Sequence, residues 1–137
     1  MATKLEAQNV LVGRSISAVQ RGVGSFLYIH LKSEDDLRLW VYLADWEFYI
    51  SGDKVADSDD TEGDASFQYI SAMAGRTILG LTIEDGSEAI EVSFDCDSSF
   101  QIIANDYYGT AADMMYLFRN ETSILTFKSG CGWLNSL

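Results

Sequence analysis

The sequence predicts a mostly β chain with one or two short helices, in which two similar β-hairpin units form a pseudo-symmetric antiparallel sheet, a sandwich or an open barrel. Three observations carry that expectation. Apolar and polar residues alternate with period two through several short runs, the signature of half-buried strands. Proline is absent, so no run is interrupted where a ladder hydrogen bond is needed. A short segment also recurs: residues 10–19 and 72–81 share Gly-Arg-(Ser/Thr)-Ile, at Gly13-Arg14-Ser15-Ile16 and Gly75-Arg76-Thr77-Ile78, with an apolar residue three positions on.

Taken in order, a short helix is expected ahead of Gly13. Leu27, Ile29 and Leu31 then face one way and Tyr28, His30 and Lys32 the other. After a polar turn at 33–36, Leu37, Leu39 and Val41 oppose Arg38 and Trp40. Trp46, Phe48 and Ile50 share a face, with Glu47 and Tyr49 on the other. Residues 51–64 hold Asp53, Asp57, Asp59, Asp60, Glu62 and Asp64 against Lys54 alone, and read as a solvated loop joining two halves (10–50 and 72–128) of one domain. A helix is expected over 66–74, with Phe67, Ile70 and Ala74 at helical spacing and Gly75 as its stop. In the second half Ile90, Val92 and Phe94 alternate, then Phe100, Ile102 and Ala104. Leu37 lies six residues past Leu31, and Phe100 six past Phe94, which matches the halves to each other. Turns are expected at 84–88, which contains Asp85-Gly86, and at 95–99. Strands at 115–118 and 124–127 flank a polar turn. Gly13 and Gly75 read as helix stops, and Arg14 and Arg76 as anchors of a turn through backbone carbonyls.

A chain of 137 residues buries roughly two-thirds of its unfolded surface and needs neither metal nor disulfide to fold. It carries 21 acidic and 9 basic residues, a formal charge of −12. A phosphate backbone or an anionic membrane surface is repelled by that balance, and a basic partner is attracted. The plainer reading is that acidity serves solubility. Residues 1–9 show no apolar signal-peptide core, and no run approaches the ~18 apolar residues of a membrane span. Cys96 and Cys131 are far apart and form no CxxC, which suits reduced thiols in a cytoplasmic protein.

The search for chemistry ends with no enzyme expected. Nucleophilic hydrolysis needs a histidine base, and the single histidine, His30, lies on the polar side of a strand. No GxSxG, GxxxxGK(S/T) or GxGxxG motif occurs. One histidine and two scattered cysteines make no zinc set. The acidic run from Asp57 fails the EF-hand pattern, with Thr61 at position 5, Glu62 at position 6 and Gln68 at position 12. No metal or cofactor is expected.

A binding role remains, with candidate aromatic anchors at Trp46, which follows Asp45, and at Tyr107 and Tyr108, which follow Asp106 in what reads as the matching place; the competing reading is that these are strand and loop aromatics completing the core. Candidate acidic contacts are Asp57, Asp59, Asp60, Glu62 and Asp64, then Glu34, Asp35 and Asp36. A third region holds Glu84, Asp85, Glu88, Glu91, Asp95 and Asp97. For each group a merely solvated acidic face is the competing reading.

The run Leu11 to Val19, the strands Leu27-Tyr-Ile-His-Leu and Leu37-Arg-Leu-Trp-Val, the Asp45-Trp46 stop, and their echoes in Gly75-Arg-Thr-Ile and Ile90-Glu-Val-Ser-Phe resemble a known group. They look like the small β-rich immunity proteins of bacterial contact-dependent growth inhibition and polymorphic toxin systems. The resemblance spans most of the chain and rests on strand pattern, so it transfers no site residue. It implies a cytoplasmic protein that binds and neutralises a cognate toxin domain, often a basic nuclease, without catalytic residues of its own. Two other expectations stand beside it: a β-barrel that holds a small molecule, and an assembly subunit that pairs through strand edges.

Overall fold

The computed structural model describes residues 2–22, 24–60 and 67–136. Helix α1 (Ala2–Leu11) leads into β1 (Ile16–Arg21), β2 (Leu27–Leu31), β3 (Leu37–Val41), β4 (Asp45–Ile50) and β5 (Asp53–Asp57). Helix α2 (Phe67–Ser71) opens the second half, followed by β6 (Ile78–Ile83), β7 (Ala89–Phe94) and β8 (Ser98–Ile103). A 3-10 turn (Asp106–Tyr108) precedes β9 (Asp113–Arg119), β10 (Thr122–Lys128) and β11 (Gly132–Asn135). The strands form two antiparallel sheets, ordered β1-β2-β3-β9-β10-β11 and β5-β4-β8-β7-β6, which are not closed into a barrel and pack as a sandwich.

The strand order reveals an exchange. Strands β1 to β3 form a meander in the six-stranded sheet, and the chain then delivers the hairpin β4-β5 to the other sheet. Strands β6 to β8 form a meander in the five-stranded sheet, and the hairpin β9-β10 returns to the first. The seams are β3 against β9 and β4 against β8.

The two Gly-Arg segments meet each other. Gly13 N donates to Ile78 O at 2.8 Å and Gly75 N to Ile16 O at 2.8 Å. Ile16 N donates to Arg76 O at 2.7 Å and Ile78 N to Arg14 O at 2.8 Å. Ser15 and Thr77 form the bridge at the centre, their hydroxyls 3.4 Å apart. Gly13 and Gly75 have φ +90° and +92°, the left-handed region that a helix-ending glycine supplies. Arg14 Nε donates to Val10 O at 2.8 Å, back onto the last turn of α1.

The inward faces fill the space between the sheets. Leu27, Ile29, Leu31, Leu37, Leu39, Val41, Leu117 and Phe127 come from one sheet; Trp46, Phe48, Ile90, Val92, Phe94, Phe100 and Ile102 come from the other, all buried. Phe48 and Phe100 stack at 4.6 Å, and Phe94 meets Phe100 edge-on at 5.8 Å. Side chains thus occupy the interior where a ligand-holding barrel would keep a cavity.

Several expectations change in detail. Strands β1 and β6 are lead-ins without an alternating pattern in the sequence. Each carries a register shift at the same place, Ile16/Ala18 and Ile78/Gly80. Their buried residues therefore fall three apart, at Ile16 and Val19 and at Ile78 and Leu81, and show no period-two signal. The expected solvated loop 51–64 is a strand over Asp53–Asp57, because Val55 and Ala56 supply an apolar pair and Lys54 lies 3.6 Å from Glu47 and 3.0 Å from Asp57. Leu31 pairs with Leu37 but Phe94 pairs with Ser98, so the second turn is two residues shorter and the expected match of Leu37 with Phe100 moves by two. Helix α2 is one turn long and closes through Met73 N to Ile70 O, a tightened bond that ends it before Ala74. Of the expected helix, residue 66 lies outside the described residues, as do Glu62 and Asp64 of the acidic run.

Candidate functional site

Strand registers divide the connections between two ends of the sandwich. Leu27 pairs with Val41, Asp45 with Ile103 and Ala89 with Ile103, so the segments 22–26, 58–60, 84–88 and 104–112 gather at one end, the loop end. Leu31 pairs with Leu37 and Phe94 with Ser98, so 32–36 and 95–97 lie at the other. The candidate acids therefore do not form one site. Asp57, Asp59, Asp60, Glu84, Asp85 and Glu88 belong to the loop end with Tyr107 and Tyr108, whereas Glu34, Asp35, Asp36, Asp95 and Asp97 belong to the opposite end.

The loop end is built on Trp46. Its side chain is fully buried, 0% exposed, and its indole Nε1 donates to Ser25 O at 2.8 Å. This overturns the expectation of Trp46 as an interface anchor: the alternation that put it beside Phe48 made it core, and a partner cannot reach it. Arg21, at the end of β1, lays its guanidinium 5.2 Å from the Trp46 ring centroid. Its Nη2 donates to Ser58 O and to Gly24 O, each at 3.1 Å, and its Nη1 donates to Asp60 O. One cation from the six-stranded sheet thus pins the turn that leaves β5.

Within that turn the carboxylates serve the backbone. Asp57 Oδ1 accepts from Asp59 N at 2.9 Å, and Asp60 Oδ2 accepts from Asp57 N at 2.9 Å. Burial pushes the Asp57 carboxyl up, but the hydrogen bonds from Lys54 and the turn amides, with the Lys54 charge, outweigh it and hold the group below its ordinary value. Asp59 projects to solvent.

Tyr107 and Tyr108 sit on the 3-10 turn, and not at the place matching Trp46. The strand that corresponds to β4 is β9, which begins at Asp113. The turn is held at both ends: Asn105 Oδ1 accepts from Tyr107 N at 2.9 Å, Asn105 Nδ2 donates to Asp45 at 2.8 Å, and Gly109 N bonds to Asp106 O. Tyr108 lies 3.2 Å from Ser25 through its hydroxyl. Tyr107 stands out at 88% exposed, the most open of the large apolar and aromatic side chains described.

The opposite acidic tip is neutralised from within. Asp36 pairs with Arg38 at 2.8 Å and Asp35 with Arg119 at 3.4 Å, while Asn120 N donates to Asp36 O. Glu34 is exposed. His30 is a surface strand residue, with its Nε2 3.0 Å from Gln20 Oε1.

A surface that sequence reasoning missed covers the outside of the six-stranded sheet. Gln20, Tyr28, Trp40, Tyr116 and Thr126 stand opposite one another on consecutive strands. Trp40 contacts Phe26, Tyr28, Tyr42, Tyr116 and Phe118 at centroid distances of 4.7 to 6.0 Å. Arg38 lies over Phe118 at 4.7 Å. All six rings are half-buried, and the Trp40 indole nitrogen is covered without a hydrogen-bond partner. At one border Asp113 accepts from Lys128 at 2.6 Å and from the Tyr116 hydroxyl at 2.7 Å. Burial pushes the Asp113 carboxyl up, yet these two donors and the lysine charge bring it below its ordinary value. Tyr116 is raised, by burial first and then by its bond to Asp113. The same level of the other sheet reads Thr82, Glu91, Gln101, Glu47 and Asp57. One face is aromatic with three charge pairs at its border; the other is acidic. Outward Tyr28 and Trp40 were visible in the sequence, but only the β3-β9 seam sets Tyr116 and Phe118 beside them.

Among the described residues no cluster of three or more His, Cys, Asp or Glu side chains is placed to hold a metal ion, and no helix is long and apolar enough to cross a membrane. Cys96 and Cys131 are exposed and unbridged, with Arg76 Nη1 at 2.7 Å from the Cys96 sulfur. Clefts over the β4-β8-β7 face and beside α2 open to solvent. No protein-family model, curated protein or solved structure matches the chain.

Proposed function

We propose that the protein is an immunity-type inhibitor that binds a basic bacterial toxin domain through its loop end, in the cytoplasm, with no catalytic step of its own. One observation carries this reading: Tyr107, 88% exposed on a turn capped at both ends, at the same end as the Asp57–Asp60 turn. An aromatic anchor held rigid before binding loses little entropy when it docks, and such residues dominate interface energies. Exposed Asp59, Glu84, Asp85 and Asp106 lie at the same end and give it negative charge in a chain of −12, which steers a basic partner and repels nucleic acid. The filled interior favours a protein partner over a small molecule.

The test is calorimetric titration with the toxin domain encoded in the adjacent reading frame, at low and high salt. Binding is expected to weaken with salt. Tyr107→Ala should weaken it at least tenfold with an unchanged melting temperature. Failure to bind that domain, together with failure to rescue cells that express it, would overturn the proposal.

A further inference from the structure

We infer that the aromatic outer face of the six-stranded sheet is a dimer interface, which receives the same face of a second copy of this chain. The interface lies on the outer side of the sheet, adjoins the loop end at Phe26, and does not depend on the inhibitor reading.

Charge selects the occupant. Two copies at −12 repel each other, and the outer face of the five-stranded sheet, with Glu47, Asp57 and Glu91 in one row, would set like charges opposite one another. The aromatic face is the exception. Three charge pairs at its border are matched within the chain, Arg38 with Asp36, Arg119 with Asp35 and Lys128 with Asp113, while Glu34 and Glu121 stand exposed in the hairpin turns. A second copy therefore meets rings and balanced pairs across the face, with bare carboxylates at the hairpin tips. Contact of identical patches through a two-fold axis is also the commonest form of self-association.

Area sets the strength. Six strands about 4.8 Å apart span ~24 Å, and strands of four to seven residues at ~3.3 Å give ~13–23 Å along their length. The face therefore offers ~300–550 Å² per copy, or ~600–1,100 Å² for the pair, below the ~1,200 Å² of stable specific interfaces and in the range of weak, transient ones. The dimer is accordingly weak, with half-dissociation at about tens of micromolar. Added salt tightens it, because screening relieves the repulsion between copies. That is the opposite of the salt response expected at the loop end.

Sedimentation equilibrium of the purified chain from about 1 to 300 μM is the primary experiment. A monomer–dimer equilibrium that tightens with salt is expected. Tyr28→Glu should weaken it at least tenfold, and Tyr107→Ala should leave it unchanged. A second measurement needs no variant. Trp46 and Trp133 are buried at 0% and 4% exposed, so acrylamide reaches chiefly Trp40. Its quenching should fall as protein concentration rises. A chain monomeric throughout overturns the inference. So does a dimer indifferent to Tyr28→Glu, or a Trp40 protected by a neutral oligosaccharide such as cellohexaose and not by concentration.

Discussion

Arg21→Met isolates the contribution of one cation to the loop end. The substitution keeps most of the aliphatic stem and removes the guanidinium, which donates to Gly24 O, Ser58 O and Asp60 O and covers the Trp46 ring. Hydrogen bonds from a charged donor contribute about 1.5–3 kcal/mol each where water is excluded. Arg21 is half-buried, and water can reach the carbonyls it abandons, so the three bonds together count for about one such bond. The cation over the indole adds about 0.5–1 kcal/mol. The expected loss is about 2–4 kcal/mol. With a urea slope of about 1.5–2 kcal/mol/M for a chain this size, the unfolding midpoint should fall by about 1–2.5 M with the slope unchanged. Arg21→Lys keeps the charge but reaches one carbonyl instead of three, and should recover less than half of the loss. A midpoint shift below about 0.3 M for Arg21→Met, or full recovery by lysine, would refute the reasoning and leave the guanidinium as a solvated charge.

Two further perturbations test the frame. Gly13→Ala and Gly75→Ala meet no heavy atom within 4 Å of the new methyl, so their cost is backbone strain at φ +90° and +92° alone. Each should lose about 1 kcal/mol in urea unfolding, and the two losses should agree within about 0.5 kcal/mol. Asp113→Asn should cost about 1–2 kcal/mol near neutral pH through the bonds from Lys128 and Tyr116, discounted because the pair is about a third exposed. The folded carboxyl titrates below its unfolded value, so its stabilisation is complete above about pH 4 and is lost as pH falls through the folded value. Wild type and variant should therefore converge in denaturant midpoint at strongly acidic pH; a constant gap would contradict the assignment.

Local alternation disclosed β2, β3, β4 and β7, because each is half-buried and regular. It failed wherever geometry broke the period. Bulges disguised β1 and β6, and the acids of β5 hid a strand whose lysine pairs with Asp57 on its own strand and reaches Glu47 across the hairpin. Strand β11 has four residues, with Gly132 and Trp133 buried in succession and the next two exposed, so it shows no alternation. At the site, composition pointed to aromatics and acids as binding groups. It could not separate Trp46, which alternation buries, from Tyr107, which a capped turn holds in solvent. Nor could it show Asp35 and Asp36 cancelled by arginines, because Arg119 arrives from a strand far along the chain.

The exchanged hairpins also govern how the chain reaches its native state. Each meander can close on short turns, but neither sheet is complete until β3 finds β9 and β4 finds β8. These pairings join distant stretches, so their loop-closure entropy is lost before contacts repay it, and the high contact order implies folding over roughly milliseconds to seconds. During synthesis the first half emerges with the edge of β3 bare, open to strands of other nascent chains until β9 leaves the ribosome. Cutting the chain between α2 and β6 would leave two open-edged fragments, each lacking the hairpin that the other carries, so the native fold forms as one cooperative unit or not at all.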